Sequence, residues 1–235
     1  MGKVFKFKEF GISQDRCAMK IGTDGIVLGA WVLCGLERRI LDVGTGTGLL
    51  SLMIAQRNPK AYLSALEIDT QAAEQAMENI AQSPFSDRIE VIPQALQQFE
   101  PIYLFDLIVS NPPFFSNSLK GPQEERNLAR HTDTLPFEDL LAFAERFLTA
   151  EGRLCVILPV SEMPRLEEDM KQYSFYFQRI CWIKHTEQHT VRRVILDLGR
   201  KQRVPEEEVL CLREEDGVSY SAAYKALTKD FHPFF

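Results

Sequence analysis

Read from the amino terminus, the chain alternates short apolar runs with longer stretches in which apolar residues recur every three or four positions. That is the pattern of strands alternating with helices. Ile40 to Val43 form a short buried strand, Gly44, Gly46 and Gly48 a turn, and Leu49 to Gln56 the start of a helix. Ala61 to Glu67 make a second strand, Gln71 to Gln82 a helix with Ala72, Ala76 and Ile80 on one face, and Arg88 to Ile92 a third strand. The fourth, Leu104 to Ser110, stops at Asn111 because Pro112 and Pro113 each lack an N–H and hold φ near −65°. A helix over Phe137 to Leu148, a fifth strand from Gly152 to Pro159 and a helix over Glu162 to Gln172 follow. Phe175 to Lys184 and Val191 to Leu198 read as two strands joined by the polar turn His185 to Thr190, which suits an antiparallel pair at the sheet edge. The expected fold class is α/β, with a seven-stranded, mostly parallel sheet, an antiparallel edge hairpin and helices on both faces.

The flanks differ from this core. Phe5, Phe7 and Phe10 sit at spacings that suit a strand pair or an extended arm, and three phenylalanines are costly to leave in water. In the segment from Gly22 to Leu33, Thr23 or Asp24 can cap a helix whose apolar residues cover most of its surface; both also stand as candidate ligand contacts. Tyr220 to Phe231 reads as a helix, with the aromatic tail after it packing back onto the body. The expected organisation is a single domain over 1–235, made of a lead-in (1–37), a Rossmann-like core (38–200) and a carboxyl-terminal extension (201–235).

Composition narrows the function classes. No apolar run reaches the ~18 residues that a membrane span needs, and the start lacks a secretory apolar region, so the expected location is the cytoplasm. The five cysteines are odd in number, spread out and free of any Cys-x-x-Cys pair, which argues against both a disulfide framework and a zinc site; no metal is expected. A net charge of −6 argues against a protein that coats nucleic acid, yet the charge is uneven, at +3 over Met1 to Lys20, +5 over Gln178 to Arg203 and −5 over Val204 to Asp216. Local basic surfaces on an acidic protein follow.

Two stretches carry candidate chemistry. After the first strand stands Asp42-Val-Gly-Thr-Gly-Thr-Gly48, where glycines let the backbone curl and a ligand approach its N–H groups. A dinucleotide fingerprint starting at Gly44 requires its third glycine at position 49, which is leucine. Glu67 ends the second strand where a ribose diol is usually gripped, and it stays free because Asp69 or Thr70 caps the next helix. After the fourth strand stands Asn111-Pro-Pro-Phe114. The Asn111 side-chain carbonyl and the Pro112 backbone carbonyl are two acceptors beside the flat face of Phe114, an arrangement suited to a planar group bearing an NH2; a plain turn with Phe114 in the core is the competing reading. In a doubly wound sheet, the glycine turn and Asn111 should lie side by side at the carboxyl ends of their strands. Ser116 to Thr134 form a long loop in which Arg126, Arg130 and His131 either contact phosphate or are simply solvated.

The glycine pattern resembles the first motif of the class I S-adenosylmethionine methyltransferases, and Asn-Pro-Pro-Phe resembles the signature of amino-group methyltransferases. With the lead-in Ala18 to Trp31, the Ala129-Arg-His131 run and the ending Tyr220 to Phe231, the chain is similar over nearly its whole length to the bacterial tRNA(Val) adenine N6-methyltransferases. The resemblance implies a Rossmann-like class I methyltransferase fold, S-adenosyl-L-methionine as cofactor, and methylation of the purine just 3′ of the anticodon, position 37. It implies that Gly44, Gly46 and Gly48 cradle the methionine part of the cofactor, with Asp42 facing its ammonium group directly or through water. Gln94 stands where such enzymes often carry an acidic residue for the cofactor adenine. Asn111 and Pro112 would hold the target amine and Phe114 stack on the base. Candidate tRNA contacts are Lys3, Lys6 and Lys8, Arg126, Arg130 and His131, and the group Lys184, Arg192 and Arg193; the expected state is a monomer. A protein glutamine N5-methyltransferase, a DNA adenine methyltransferase and a non-catalytic cofactor-binding RNA-interaction protein are the alternatives.

Overall fold

Apolar side chains alternate across the central strands, so these strands feed two cores, one on each face of the main sheet. In the computed structural model, which describes residues 4–112 and 135–234, a two-stranded unit, β1 (Phe5–Lys6) with β2 (Gly11–Ile12), precedes α1 (Thr23–Trp31). Then come β3 (Arg39–Val43), α2 (Leu49–Arg57), β4 (Tyr62–Leu66), α3 (Thr70–Ala81), β5 (Ile89–Ile92) and β6 (Phe105–Ser110). The second half contains α4 (Phe137–Phe147), β7 (Leu148–Pro159), α5 (Met163–Met170), β8 (Tyr176–Lys184), β9 (Arg193–Gly199), β10 (Glu206–Cys211) and α6 (Ala222–Thr228). The sheet order is β10-β8-β9-β7-β6-β3-β4-β5, with β9 antiparallel to both neighbours and every other pairing parallel.

One core joins α1, α2, α3 and α6 to strand residues such as Ile40, Leu107 and Ile157; the other joins α4 and α5 to Leu41, Ile108 and Val156. Strand residues of opposite parity thus face opposite layers, the period-2 geometry that puts helices on both faces. No helix among the described residues is long and apolar enough to cross a membrane.

The main sheet has eight strands where seven were expected, and the antiparallel pair does not close its edge. β10 adds to the far side of β8, parallel to it, and forms the edge itself. Its sequence, Glu-Glu-Glu-Val-Leu-Cys, offers only Leu210 to the core, so no apolar alternation marks it. A row of glutamates on an exposed edge also blocks pairing with another chain.

Two end elements also differ in detail. Gly22 is the N-cap of α1 with no side-chain cap bond, so Thr23 and Asp24 lie inside the first turn and neither caps. The carboxyl-terminal helix is shorter than the expected Tyr220 to Phe231, because Ser221 caps it by accepting from the Tyr224 N–H at 2.9 Å. The tail packs back onto the body as expected, and what it packs on is the lead-in. Phe7 and Phe10 stack with ring centroids 4.6 Å apart, and the Lys8 N–H donates to the carbonyl of Phe231, itself 1 % exposed.

Candidate active site

β3 lies between β6 and β4, so the strand order reverses beside it, and the loops after β3 and β6 open at the same end of the sheet. Asp42 is in register with Val109 and Val43 with Ser110, and the Ser110 hydroxyl donates to the Val43 carbonyl at 2.8 Å. The glycine turn and Asn111 therefore begin one residue beyond a hydrogen-bonded pair.

The turn needs glycines for conformational reasons. Gly44, Gly46 and Gly48 have φ of +72°, +57° and +84°, the left-handed region that side chains resist. A Cβ added at Gly44 or Gly46 meets nothing within 4 Å, so the space above the loop is open for a ligand. The Gly44 and Thr45 N–H groups both donate to the Leu66 carbonyl at 2.9 Å, which pins the loop to the end of β4.

Asp42 is fully buried. Its Oδ2 accepts from the Thr45 hydroxyl at 2.6 Å, the Ser51 hydroxyl at 2.8 Å and the Ser51 N–H at 3.2 Å, while its Oδ1 is buried with no hydrogen-bond partner among the described residues. Desolvation pushes its carboxyl up to about 6, against the opposing pull of the Thr45 and Ser51 bonds. An orphaned carboxylate oxygen at the base of an open glycine loop fits an ammonium group. Thr45 and Ser51 are site residues that sequence reasoning missed; the only signal was their place inside the glycine motif and one turn into its helix.

Glu67, 9 % exposed, accepts from the Gly46 N–H at 2.8 Å through Oε2 and from the Asp69 N–H at 3.0 Å through Oε1. Asp69 caps α3 by accepting from the Ala72 N–H at 2.7 Å, as expected, and on that ground Glu67 was expected to be free. Glu67 is nevertheless engaged, tying the glycine loop to the end of β4, and each oxygen retains a lone pair for a diol. Burial raises its carboxyl above the usual range, with the Asp69 and Gly46 N–H bonds opposing. Gln94, just past β5 and half-buried, donates its Nε2 to the Gln98 carbonyl at 2.8 Å, and its Oε1 accepts no hydrogen bond among the described residues. That leaves the acceptor face an adenine amine would need. The residues present thus fit S-adenosylmethionine at its ammonium, ribose and adenine ends.

Asn111 is half-buried and Pro112 buried. Neither the Asn111 Oδ1 nor the Pro112 carbonyl accepts a hydrogen bond among the described residues. Phe114, Arg126, Arg130 and His131 lie outside the described residues, as does Lys3. The start of α1 adjoins Asn111, since a Cβ on Gly25 would stand 3.8 Å from Asn111 Nδ2 and 2.9 Å from Leu49 Cδ2. Thr23 opens that helix; Asp24 receives the Arg193 Nε–H at 2.8 Å.

The basic candidates divide. Lys184 closes β8, Arg193 opens β9, and the register of Arg193 with Pro159 and Ile183 puts this group at the same end of the sheet as Asn111. Arg192 is exposed, and Lys184 Nζ donates to the Glu187 carbonyl at 3.1 Å. Lys6 and Lys8 are exposed on the lead-in, where Lys8 Nζ donates to the Lys229 carbonyl at 2.6 Å. No group of three or more metal-ligating side chains occurs among the described residues. All five cysteines are free thiols, four of them buried.

A glycine turn after β3 and a carboxylate just past β4, at the carboxyl ends of a mostly parallel sheet, place the chain among the class I S-adenosylmethionine-dependent methyltransferases. The family model "Methyltransferase small domain" matches residues 27–192. Among solved structures, a predicted O-methyltransferase from Agrobacterium tumefaciens superposes with a TM-score of 0.70 at 20 % identity, over 88 % of this chain and 96 % of that one. P. horikoshii TYW2 in complex with MeSAdo gives a TM-score of 0.60 at 18 % identity, over 84 % of this chain and 71 % of that one. Relatives of higher identity narrow the class. The tRNA1(Val) (adenine(37)-N6)-methyltransferase of Tolumonas auensis is 45 % identical over 232 residues, 98 % of this chain and 97 % of that protein. The protein of the same name from Dyadobacter fermentans is 42 % identical over 231 residues, 97 % of this chain and 96 % of its own length. This chain belongs to the tRNA1(Val) (adenine(37)-N6)-methyltransferase family.

Proposed function

We propose that the protein methylates N6 of adenosine 37 in tRNA1(Val), with Asn111 and the Pro112 carbonyl holding the amine that reacts. The relatives' shared activity over nearly their full length supports the reaction and the substrate. The observation that carries the residue assignment is the Val43–Ser110 pairing, from which the glycine loop and the Asn111 turn start side by side.

Bound S-adenosylmethionine supplies an electrophilic methyl group. The adenine amine is a weak nucleophile because its lone pair is delocalised into the ring. By accepting both of its N–H groups, Asn111 Oδ1 and the Pro112 carbonyl favour a pyramidal nitrogen whose lone pair points toward the glycine loop. Both acceptors are too weakly basic to take the proton, which leaves to water. Phe114 stacks on a base turned out of the anticodon loop, a contact worth roughly 1–3 kcal/mol in nucleic-acid binders. Asp42 takes the ammonium, Glu67 the ribose and Gln94 the adenine of the cofactor. Thr23 remains a candidate contact at the start of α1. The lead-in lysines, Arg126, Arg130 and His131, and the Lys184–Arg192 rim are the candidate contacts to the phosphates of the anticodon arm.

The test is methyl transfer from labelled cofactor to tRNA1(Val) transcripts carrying adenosine or guanosine at position 37. Label in the first and none in the second is the expected result; equal label in both would move the target elsewhere.

A further inference from the structure

The start of α1 should be loose, yet it stands against the catalytic amide. Its N-cap is Gly22, with no side-chain cap bond, and the Ile26 N–H reaches the Gly22 carbonyl at a long 3.4 Å. The rest of the helix is well held. Arg57 Nη1 donates to the carbonyls of Gly29 at 2.9 Å and Val32 at 2.7 Å, and Trp31 Nε1 donates to Glu208 at 2.6 Å. Among the described residues, the first turn has one polar side-chain tie, the Arg193 Nε–H to Asp24 Oδ2 bond at 2.8 Å. Arg193 is the first residue of β9, paired with Pro159 at the end of the β7–β9 ladder. Its charge is also half-exposed, at 39 %, on the rim that bears Lys184 and Arg192.

What that tie holds is set by the next residue. Gly25 is where α1 faces the first residue of α2 and Asn111: a Cβ built there would stand 2.9 Å from Leu49 Cδ2 and 3.8 Å from Asn111 Nδ2. A shift of the first turn therefore moves the wall behind the Asn111 amide. The geometry points to Asp24 and Arg193 as a positioning pair, which fixes the first turn of α1 so that Gly25 backs Asn111 in its working orientation. Each partner then serves the other rather than touching cofactor or phosphate. This inference rests on the proposed role of Asn111.

The test is a double-mutant cycle of Asp24→Ala, Arg193→Ala and the double variant, with kcat measured at saturating tRNA and cofactor. Each single substitution is expected to lower kcat by about tenfold, since small misplacements of a reacting group are costly. The double variant should lose no more than either single, because a pair acting as a unit is lost only once. The Kd values for cofactor and tRNA should stay within about twofold of wild type. Weakened tRNA binding in Arg193→Ala with normal kcat would make Arg193 a phosphate contact and overturn the inference. Weakened cofactor binding in Asp24→Ala would make Asp24 a ligand and overturn it equally, as would losses that multiply in the double variant. A wild-type protein inactive on tRNA would sink the proposed function instead. The tie is then read by amide hydrogen exchange at Ile26, the first amide of α1 with a helical acceptor, which should quicken in both single variants; unchanged exchange there overturns the pair whatever the substrate.

Discussion

The hydroxyl of Ser110 donates to the carbonyl of Val43 at 2.8 Å, across the carboxyl ends of two adjacent parallel strands. Both residues are buried, and each is the last of its strand before a loop of the candidate site. The separation between the glycine loop and Asn111 is thus set by sheet spacing and one side-chain bond, not by flexible chain.

Ser110→Ala removes that bond without adding bulk. It should cost about 1 kcal/mol of stability, the usual net worth of such a bond. It should also lower kcat several-fold while leaving cofactor affinity unchanged. Urea unfolding and steady-state kinetics on one preparation check both; a weaker cofactor Kd with normal kcat would contradict the assignment.

Asp42 as the partner of the ammonium group should make cofactor binding depend on pH in a defined direction. Its carboxyl sits at about 6 in the folded protein, against an ordinary 3.8, so below pH ~6 it is largely neutral. A bound ammonium favours the charged form, so binding releases a proton, and the cofactor Kd should rise as pH falls below ~6, by up to ~10-fold per unit. Glu67, raised by the same burial, acts with the same sign. In the free protein the raised value means that the charged carboxylate opposes folding above pH ~6, an opposition relieved as pH falls through that value. Asp42→Asn should therefore raise the Tm of the free protein at pH 7.5 while weakening cofactor binding. Calorimetry at pH 5.5 and 7.5, with thermal melts, checks this; a Kd independent of pH over that range would contradict it.

Gly46→Ala separates the two demands on the loop. With φ at +57° the substitution is strained by roughly 1–2 kcal/mol, yet the new Cβ meets nothing in the free protein. Cofactor affinity should fall more than that strain implies, by about 100-fold, because the methyl enters the space the ligand needs. Comparing the change in Tm with the change in Kd decides; a loss of stability with cofactor affinity intact would leave the loop without a ligand role.

Lys184→Glu and Arg192→Glu should weaken tRNA binding and lower the slope of log K against log salt by about one per lost phosphate contact. Cofactor affinity should not change. Filter binding across a salt series reads both quantities, and an unchanged slope would remove this rim from the RNA surface.

The elements around the site were legible because local chemistry marks them. Three spaced glycines after an apolar run leave few alternatives to a strand, a tight turn and a helix, and two prolines end β6 at Asn111 whatever surrounds it. β10 was not legible, since Glu206, Glu207 and Glu208 carry no apolar signal and only the exposed edge of β8 makes them a strand. Taken alone, Asp24 reads as a cap and Arg193 as a phosphate contact. Their pairing spans 169 residues of chain and exists only once β9 and α1 are brought together. The support of Asp42 by Thr45 and Ser51 is hidden for a related reason, since it depends on how the glycines turn the loop back over β3.

The role of Asn111 is tested most directly by nucleoside mass analysis of tRNA1(Val) transcript after reaction with S-adenosylmethionine, using wild type and Asn111→Ala, with cofactor binding measured in parallel. Wild type should give N6-methyladenosine at position 37, Asn111→Ala should lose at least about 100-fold in rate, and the two proteins should bind the cofactor equally. N6-methyladenosine formed at an undiminished rate by Asn111→Ala, or none formed by a wild-type protein that binds the cofactor, would contradict that role.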